Sequence, residues 1–158
     1  MRRFHVHVAV DDISKSTAFY TKLFGQPARV EADYVKWMLE DPRLNFAISS
    51  RGQKPGVNHL GLQMDSDEEL KQLRAQLEAA ELVGESEATS HCCYSTSDKY
   101  WVTDPQGVAW ETYHTLTSIP TFGGESSSAC GSAAQRSCCV PAAIETADAP
   151  RRSRGCCA

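Results

Sequence analysis

Alternation opens the chain. In FHVHVAVDD, Phe4, Val6, Val8 and Val10 fall on one side of an extended backbone and His5, His7 and Ala9 on the other. That is the period-2 pattern of a strand with two unlike faces. The same alternation returns in VNHLGLQMDS, where Leu60, Leu62 and Met64 stand against His59, Gly61 and Gln63. Each stretch runs into an Asp-containing turn and then into helical spacing. The first helix is predicted over about Ile13 to Phe24 and stops at Gly25, because glycine tolerates the left-handed backbone that closes a last turn. The second is marked by Ser66 with Glu69 three residues on, a capping box, and by the apolar stripe Leu70, Leu73 and Leu77.

Short strands separated by turns follow each helix. An Asp-Pro turn precedes the last strand of each set, in EDPRLNFAISS and TDPQGVAWETYH. Superposing the first strands by their ends lays His5 on His59 and Val10 on Met64. One extra residue in the second turn then lays Ala47 on Glu111 and Phe46 on Trp110. The expected fold is therefore α+β, built from two β-α-β-β-β modules at about residues 3–50 and 56–115 within one domain, residues 1–117. Residues 118–158 are rich in Ser, Ala, Gly and Cys and nearly free of large apolar side chains. They cannot bury enough surface to offset their ordering entropy, and a disordered tail is expected.

Bulk properties narrow the function classes. A chain of 158 residues is long enough for a real core, and its net charge of −4 opposes a nucleic-acid or anionic-membrane surface. MRRFHVHVAVDD lacks the apolar centre of a signal peptide, and no run reaches membrane-spanning length. A cytoplasmic protein, monomer or homodimer, is expected. In a reducing compartment its seven cysteines are ligands or nucleophiles before they are bridges.

If each sheet curls with its helix on the convex side, the valines and leucines pack under the helices. His5 and His59 are left on the concave face at related positions. Glu111 shares its face with Ala109 and Tyr113, opposite Trp110. Two imidazoles and one carboxylate with open positions form the facial triad suited to Fe(II) and O₂. Ala47, at the place related to Glu111, cannot coordinate and leaves the site open. His7 lies on the same face as His5 and competes with it as ligand. His91 and His114 are expected beside the site or on the surface.

Cys92 and Cys93 are adjacent in what otherwise has the pattern of a strand. Neighbouring cysteines are far from ordinary disulfide geometry, and a regular strand would send them to opposite faces. Either one thiol is buried filler, or the backbone bends so that both sulfurs meet one target; the pair would then sit on a loop or an irregular strand end. Trp37, Tyr94, Tyr100, Trp101 and Trp110 could wall a pocket, with Trp101 and Trp110 expected in the core. Lys99 is expected to solvate a strand edge. Cys130, Cys138, Cys139, Cys156 and Cys157 in the tail could capture a soft ligand and deliver it, since tethering raises local concentration.

The duplicated pattern with HVHVAVDDISKSTAFYTKLFG resembles the vicinal oxygen chelate superfamily of glyoxalase I, extradiol dioxygenases and fosfomycin-resistance proteins. Within it, NHLGLQMDSDEEL followed by HCCYSTSDKYWVTDPQGVAWETY is similar to the ArsI carbon–arsenic lyases and the cadmium-induced CadI proteins. The likeness spans about residues 4–114 and is most specific in CCYSTSDKYWVTDP. It implies a curved-sheet cup and a non-haem Fe(II) dioxygenase that uses O₂ to cleave the carbon–arsenic bond of trivalent organoarsenicals such as methylarsonous acid. His5, His59 and Glu111 would be its iron ligands and Cys92 and Cys93 its arsenic-binding pair. A metal-sequestering protein and a glyoxalase-like isomerase are the alternatives. Thiolate is the ligand form of cysteine, so arsenic binding is expected to strengthen with pH near the usual thiol value, about 8.5.

Overall fold

Both predicted helices form where their caps place them. In the computed structural model, which describes residues 2–120, helix α1 spans Ile13–Phe24 and α2 spans Asp67–Ala79. The Asp12 carboxylate accepts the Lys15 amide, and Gly25 closes α1 at φ 82°. At α2 the Ser66 hydroxyl accepts the Glu69 amide at 3.2 Å, while the Glu69 carboxylate reaches back to the Asp65 amide, one residue earlier than a capping box would direct it.

The strands are β1 Arg3–Ala9, β2 Arg29–Val30, β3 Tyr34–Glu40, β4 Arg43–Ser49, β5 Gly56–Met64, β6 Glu85–Cys92, β7 Ser95–Thr103 and β8 Ala109–Ser118. They form one curled sheet in the order β2-β3-β4-β1-β5-β8-β7-β6. Read outward from the centre, β1-β4-β3-β2 mirrors β5-β8-β7-β6, the signature of the duplication. The inner pair β1–β5 is antiparallel, and each inner strand pairs in parallel with the last strand of its own module. His7 faces Ala47 across β1–β4 as Gly61 faces Glu111 across β5–β8. Ala47 and Glu111 therefore do occupy related places. Pairing continues slightly past residue 117, since Ser118 pairs with Ser95 and the Ile119 amide donates to the Tyr94 carbonyl at 2.9 Å. The tail cysteines Cys130, Cys138, Cys139, Cys156 and Cys157 lie outside the described residues.

On the convex side, Val35, Trp37, Phe46 and Ile48 form a core with Val6, Val8, Tyr20 and Phe24 under α1, and Met64, Leu70 and Leu73 form a second core under α2. Burial along β1 is the reverse of what hydropathy suggests. Arg3, His5, His7 and Ala9 are buried, whereas Phe4 is 40% exposed. The curl encloses the concave face on several sides, and that matters more than the polarity of its side chains. Among the described residues, no helix is long and apolar enough to cross a membrane.

Gly61 sits where β5 passes close to the backbone of Glu111. A Cβ there would lie 2.0 Å from the Glu111 carbonyl oxygen. Gly61→Ala is expected to push β8 aside, cost about 1–3 kcal/mol and weaken divalent-metal binding at Glu111. Thermal denaturation and Co(II) titration would register both losses; a variant normal in each would show that β8 yields freely.

Candidate metal centre and sulfur pair

Strand alternation aims three predicted ligands at one point. The His5 and His59 Nε2 atoms are 3.2 Å apart, and each lies 3.5 Å from Glu111 Oε2. Cis ligands on an ion with bonds near 2.1 Å stand about 3 Å apart, so the three donors fit one cation with little adjustment. The rings are held for that task through their other nitrogens. His5 Nδ1 meets the Asn45 carbonyl at 3.1 Å, and His59 Nδ1 meets Asn58 Oδ1 at 2.7 Å. Oxygen partners of this kind fix the tautomer that leaves Nε2 for a metal. Burial lowers the His5 pKa to about 4 against the opposing pull of Glu111, so the imidazole is neutral and its lone pair available.

His7 does not join the cluster. Its Nε2 meets Ser49 Oγ at 2.9 Å, and the potential ligand group comprises His5, His59 and Glu111. The His7 ring instead stands edge-on to His59, with centroids 4.7 Å apart. His91 is exposed near Thr96 and His114 is half-buried.

Lys99 overturns its expected role. Its side chain is buried rather than at a strand edge, and Nζ lies 2.6 Å from Glu111 Oε1. The sheet edge in this module is β6, and β7 lies inside it. Lys99 alternates with Trp101, whose ring sits 5.2 Å from His59, on the cup face. Burial alone would raise the Glu111 pKa, but Lys99 and the two histidines outweigh it and hold the carboxyl well below its usual range.

The cysteine pair lies at an irregular strand end, as expected if both sulfurs are to point the same way. β6 stops at Cys92, which pairs with Ser95, leaving Cys93 and Tyr94 as a two-residue loop at φ 56° and 60°. Such a turn normally takes Asn-Gly, and non-glycine residues there cost roughly 1–2 kcal/mol each. In return the backbone bends and both sulfurs fall on one side, with Sγ atoms 3.2 Å apart. Cys92 packs with Tyr34, Ala47 and Tyr94, so the alanine related to Glu111 makes room for sulfur. Cys93 is a free cysteine; chelation by the pair would need both sulfurs as thiols. The expected pH dependence needs correction. Burial pushes the Cys93 thiol up to about 12 despite the pull of Lys99, so it stays protonated well above the usual thiol range.

The sulfur pair, His5 and Glu111 open into one cavity of about 30 Å³, also lined by Lys99 and Tyr113 among others. Of the five aromatic residues considered from sequence, Tyr94 and Trp101 stand beside this cup. Trp37 packs under α1, Tyr100 has the α2 residue Arg74 over its ring, and Trp110 is only half-buried, against the expectation of core. Tyr34 and Tyr113 line the cavity without having been singled out. Tyr113 was findable, since it lies two residues beyond Glu111 on the same strand face.

Residues 2–112 match the glyoxalase/bleomycin resistance protein/dioxygenase superfamily, and the chain belongs to that family. A relative from Bacillus subtilis named a probable trivalent organoarsenical cleaving enzyme is 40% identical over 82% of this chain and 91% of its own. The cadmium-induced protein CadI of Mycobacterium bovis is 36% identical over 78% of this chain and 82% of its own. Among solved structures, a mutant homoprotocatechuate 2,3-dioxygenase from Brevibacterium fuscum superposes with a TM-score of 0.57 at 16% identity, covering 77% of this chain and 34% of that one. That last likeness concerns the fold alone.

Proposed function

We propose that this protein is a cytoplasmic Fe(II)-dependent carbon–arsenic lyase that releases arsenite from trivalent organoarsenicals, with methylarsonous acid as its simplest substrate. One observation carries the reading: the sulfur pair lines the same small cavity as His5 and Glu111, two of the three clustered metal-ligand candidates. Soft sulfur suits trivalent arsenic, and the harder nitrogen and oxygen donors suit iron, so each element has its own place. The organoarsenical-cleaving relative supports the same substrate class.

The reduced cysteines act first. Two thiols condense with the two hydroxyls of the arsonous acid, forming two arsenic–sulfur bonds and releasing two waters. No net proton is exchanged, so a protonated Cys93 is a competent partner. The chelate then holds the carbon–arsenic bond against the triad, where fixed orientation lowers a barrier by roughly 7–11 kcal/mol at most. His5, His59 and Glu111 would hold Fe(II), which when bound supplies the activation of O₂. Lys99 keeps the Glu111 carboxylate ionised and aimed, while Trp101 and Tyr113 limit water in the cup. Ala47 leaves the position related to Glu111 without a donor.

A metal-sequestering role is the second reading, favoured by the likeness to CadI. Aerobic incubation of the reduced, Fe(II)-loaded protein with methylarsonous acid separates the two. Arsenite release with turnover supports the lyase. Stoichiometric retention of the arsenical without product would leave only the binding protein.

A further inference from the structure

The sulfur-bearing turn belongs to the second module, yet its strongest restraints come from the first. Arg29 on β2 donates through Nη1 to the Tyr94 carbonyl at 2.9 Å and through Nη2 to the Ile119 carbonyl at 3.1 Å. Its guanidinium also lies 4.9 Å from the Tyr94 ring centroid, and its Nε is held by Glu31 at 2.9 Å. The Tyr94 hydroxyl donates to Asp33 Oδ1 at 2.6 Å, and Arg51 holds the other Asp33 oxygen at 2.8 Å. Tyr34 packs its ring 5.7 Å from that of Tyr94. The residue after the cysteine pair is thus gripped at its carbonyl, its ring and its hydroxyl.

We propose that Arg29 and Asp33 are positioning residues for arsenical capture, clamping Tyr94 so that the turn presents both cysteine sulfurs to the cup. The proposal rests on the function given above only in its choice of ligand. Its physical basis is the backbone: Cys93 and Tyr94 both adopt left-handed conformations that neither side chain favours. A two-residue turn of this kind persists only where its surroundings over-determine it. Released from Asp33 and Arg29, the turn would relax toward conformations in which the adjacent sulfurs diverge. Pre-payment of that ordering is what a chelating pair needs, because each extra conformer of the unbound turn lowers affinity. The planar fork of arginine spans two carbonyls at once, which a lysine cannot do.

The test uses full-length protein with the five tail cysteines replaced by serine, reduced and metal-free, titrated with phenylarsine oxide as a dithiol probe. Arg29→Ala, Asp33→Asn and Tyr94→Phe are expected to weaken binding roughly tenfold or more, while Co(II) affinity at the triad stays the same. Arg29→Lys is expected to recover only part of the loss. In turnover by the iron-loaded enzyme the same substitutions should raise KM with little change in kcat. Unchanged arsenical affinity in all three variants would overturn the proposal. So would parallel loss of arsenical and Co(II) binding, which would reveal general unfolding. Failure of the lyase reading shows up separately: the unsubstituted turn would still capture the probe while the loaded enzyme released no arsenite.

Discussion

Cys92→Ser and Cys93→Ser are each expected to lower arsenite release from methylarsonous acid by roughly a hundredfold or more, with Fe(II) or Co(II) binding at the triad retained. Serine keeps the size of the side chain but not its affinity for trivalent arsenic, so a single substitution leaves one arsenic–sulfur bond and a free rotation about it. The chelate is lost with either sulfur, and the double variant should be little worse than the single ones. Arsenite separated by chromatography and counted by elemental detection reads the result. A pH series adds a second readout. With Cys93 held up to about 12 by burial, the thiol is neutral throughout the range from pH 7 to 9. Its condensation with an arsenic hydroxyl exchanges no net proton, so capture is expected to be flat there. An affinity that falls as pH rises past about 8.5, because a thiolate must take up a proton to release water, would mean that an accessible thiol of ordinary pKa is the ligand, and would sink this account of the turn.

Lys99→Met should produce the largest change in stability of the metal-free protein. Lys99 Nζ and Glu111 Oε1 are 2.6 Å apart with both side chains buried. Removing the cation leaves a buried carboxylate that has lost its closest positive partner, a loss of about 3–5 kcal/mol. For a domain of this size that corresponds to a fall in Tm of roughly 15–30 °C. Divalent metal should restore much of it, since an ion bound only by the folded state supplies the missing positive charge. The pH dependence follows from the direction of the Glu111 shift. Burial would raise its pKa, but Lys99 and the two histidines depress it well below the ordinary carboxylate value. In the parent, that stabilisation is complete above the unfolded value, about 4.5, and fades as pH falls through the folded one. In the variant the burial penalty is no longer offset, so Glu111 takes up its proton at higher pH. The stability gap between parent and variant should therefore be widest near neutrality and narrow in acid. Equal metal-free stability at neutral pH would show that solvent, not Lys99, balances Glu111.

Local rules read correctly wherever a residue's fate depends on its near neighbours. Asp12, Gly25, Ser66 and the stripe Leu70, Leu73, Leu77 mark helix boundaries through contacts within one or two turns. Alternation placed His5 opposite Val6 and His59 opposite Leu60, and the repeat tied Ala47 to Glu111. Lys99 was misjudged because its environment comes from β8, through the pairing of Lys99 with Tyr113 and Trp101 with Glu111. No pattern within YSTSDKYWV reports that register. Arg29 and Asp33 were missed for a related reason. They meet Tyr94 more than sixty positions away in the chain, across the mouth of the cup rather than along a strand.

Period and capping are local properties of a chain, and they were enough to reveal the duplication, the helices with their ends, and which faces carry histidine. It took the folded chain to show that the polar face is the buried one, that Lys99 pairs with Glu111, and that two strained residues set the sulfurs on the cavity that His5 and Glu111 also line. Those outcomes arise from the closure of two modules around a common hollow. Closure removes water from charged groups and brings together residues that no short stretch contains.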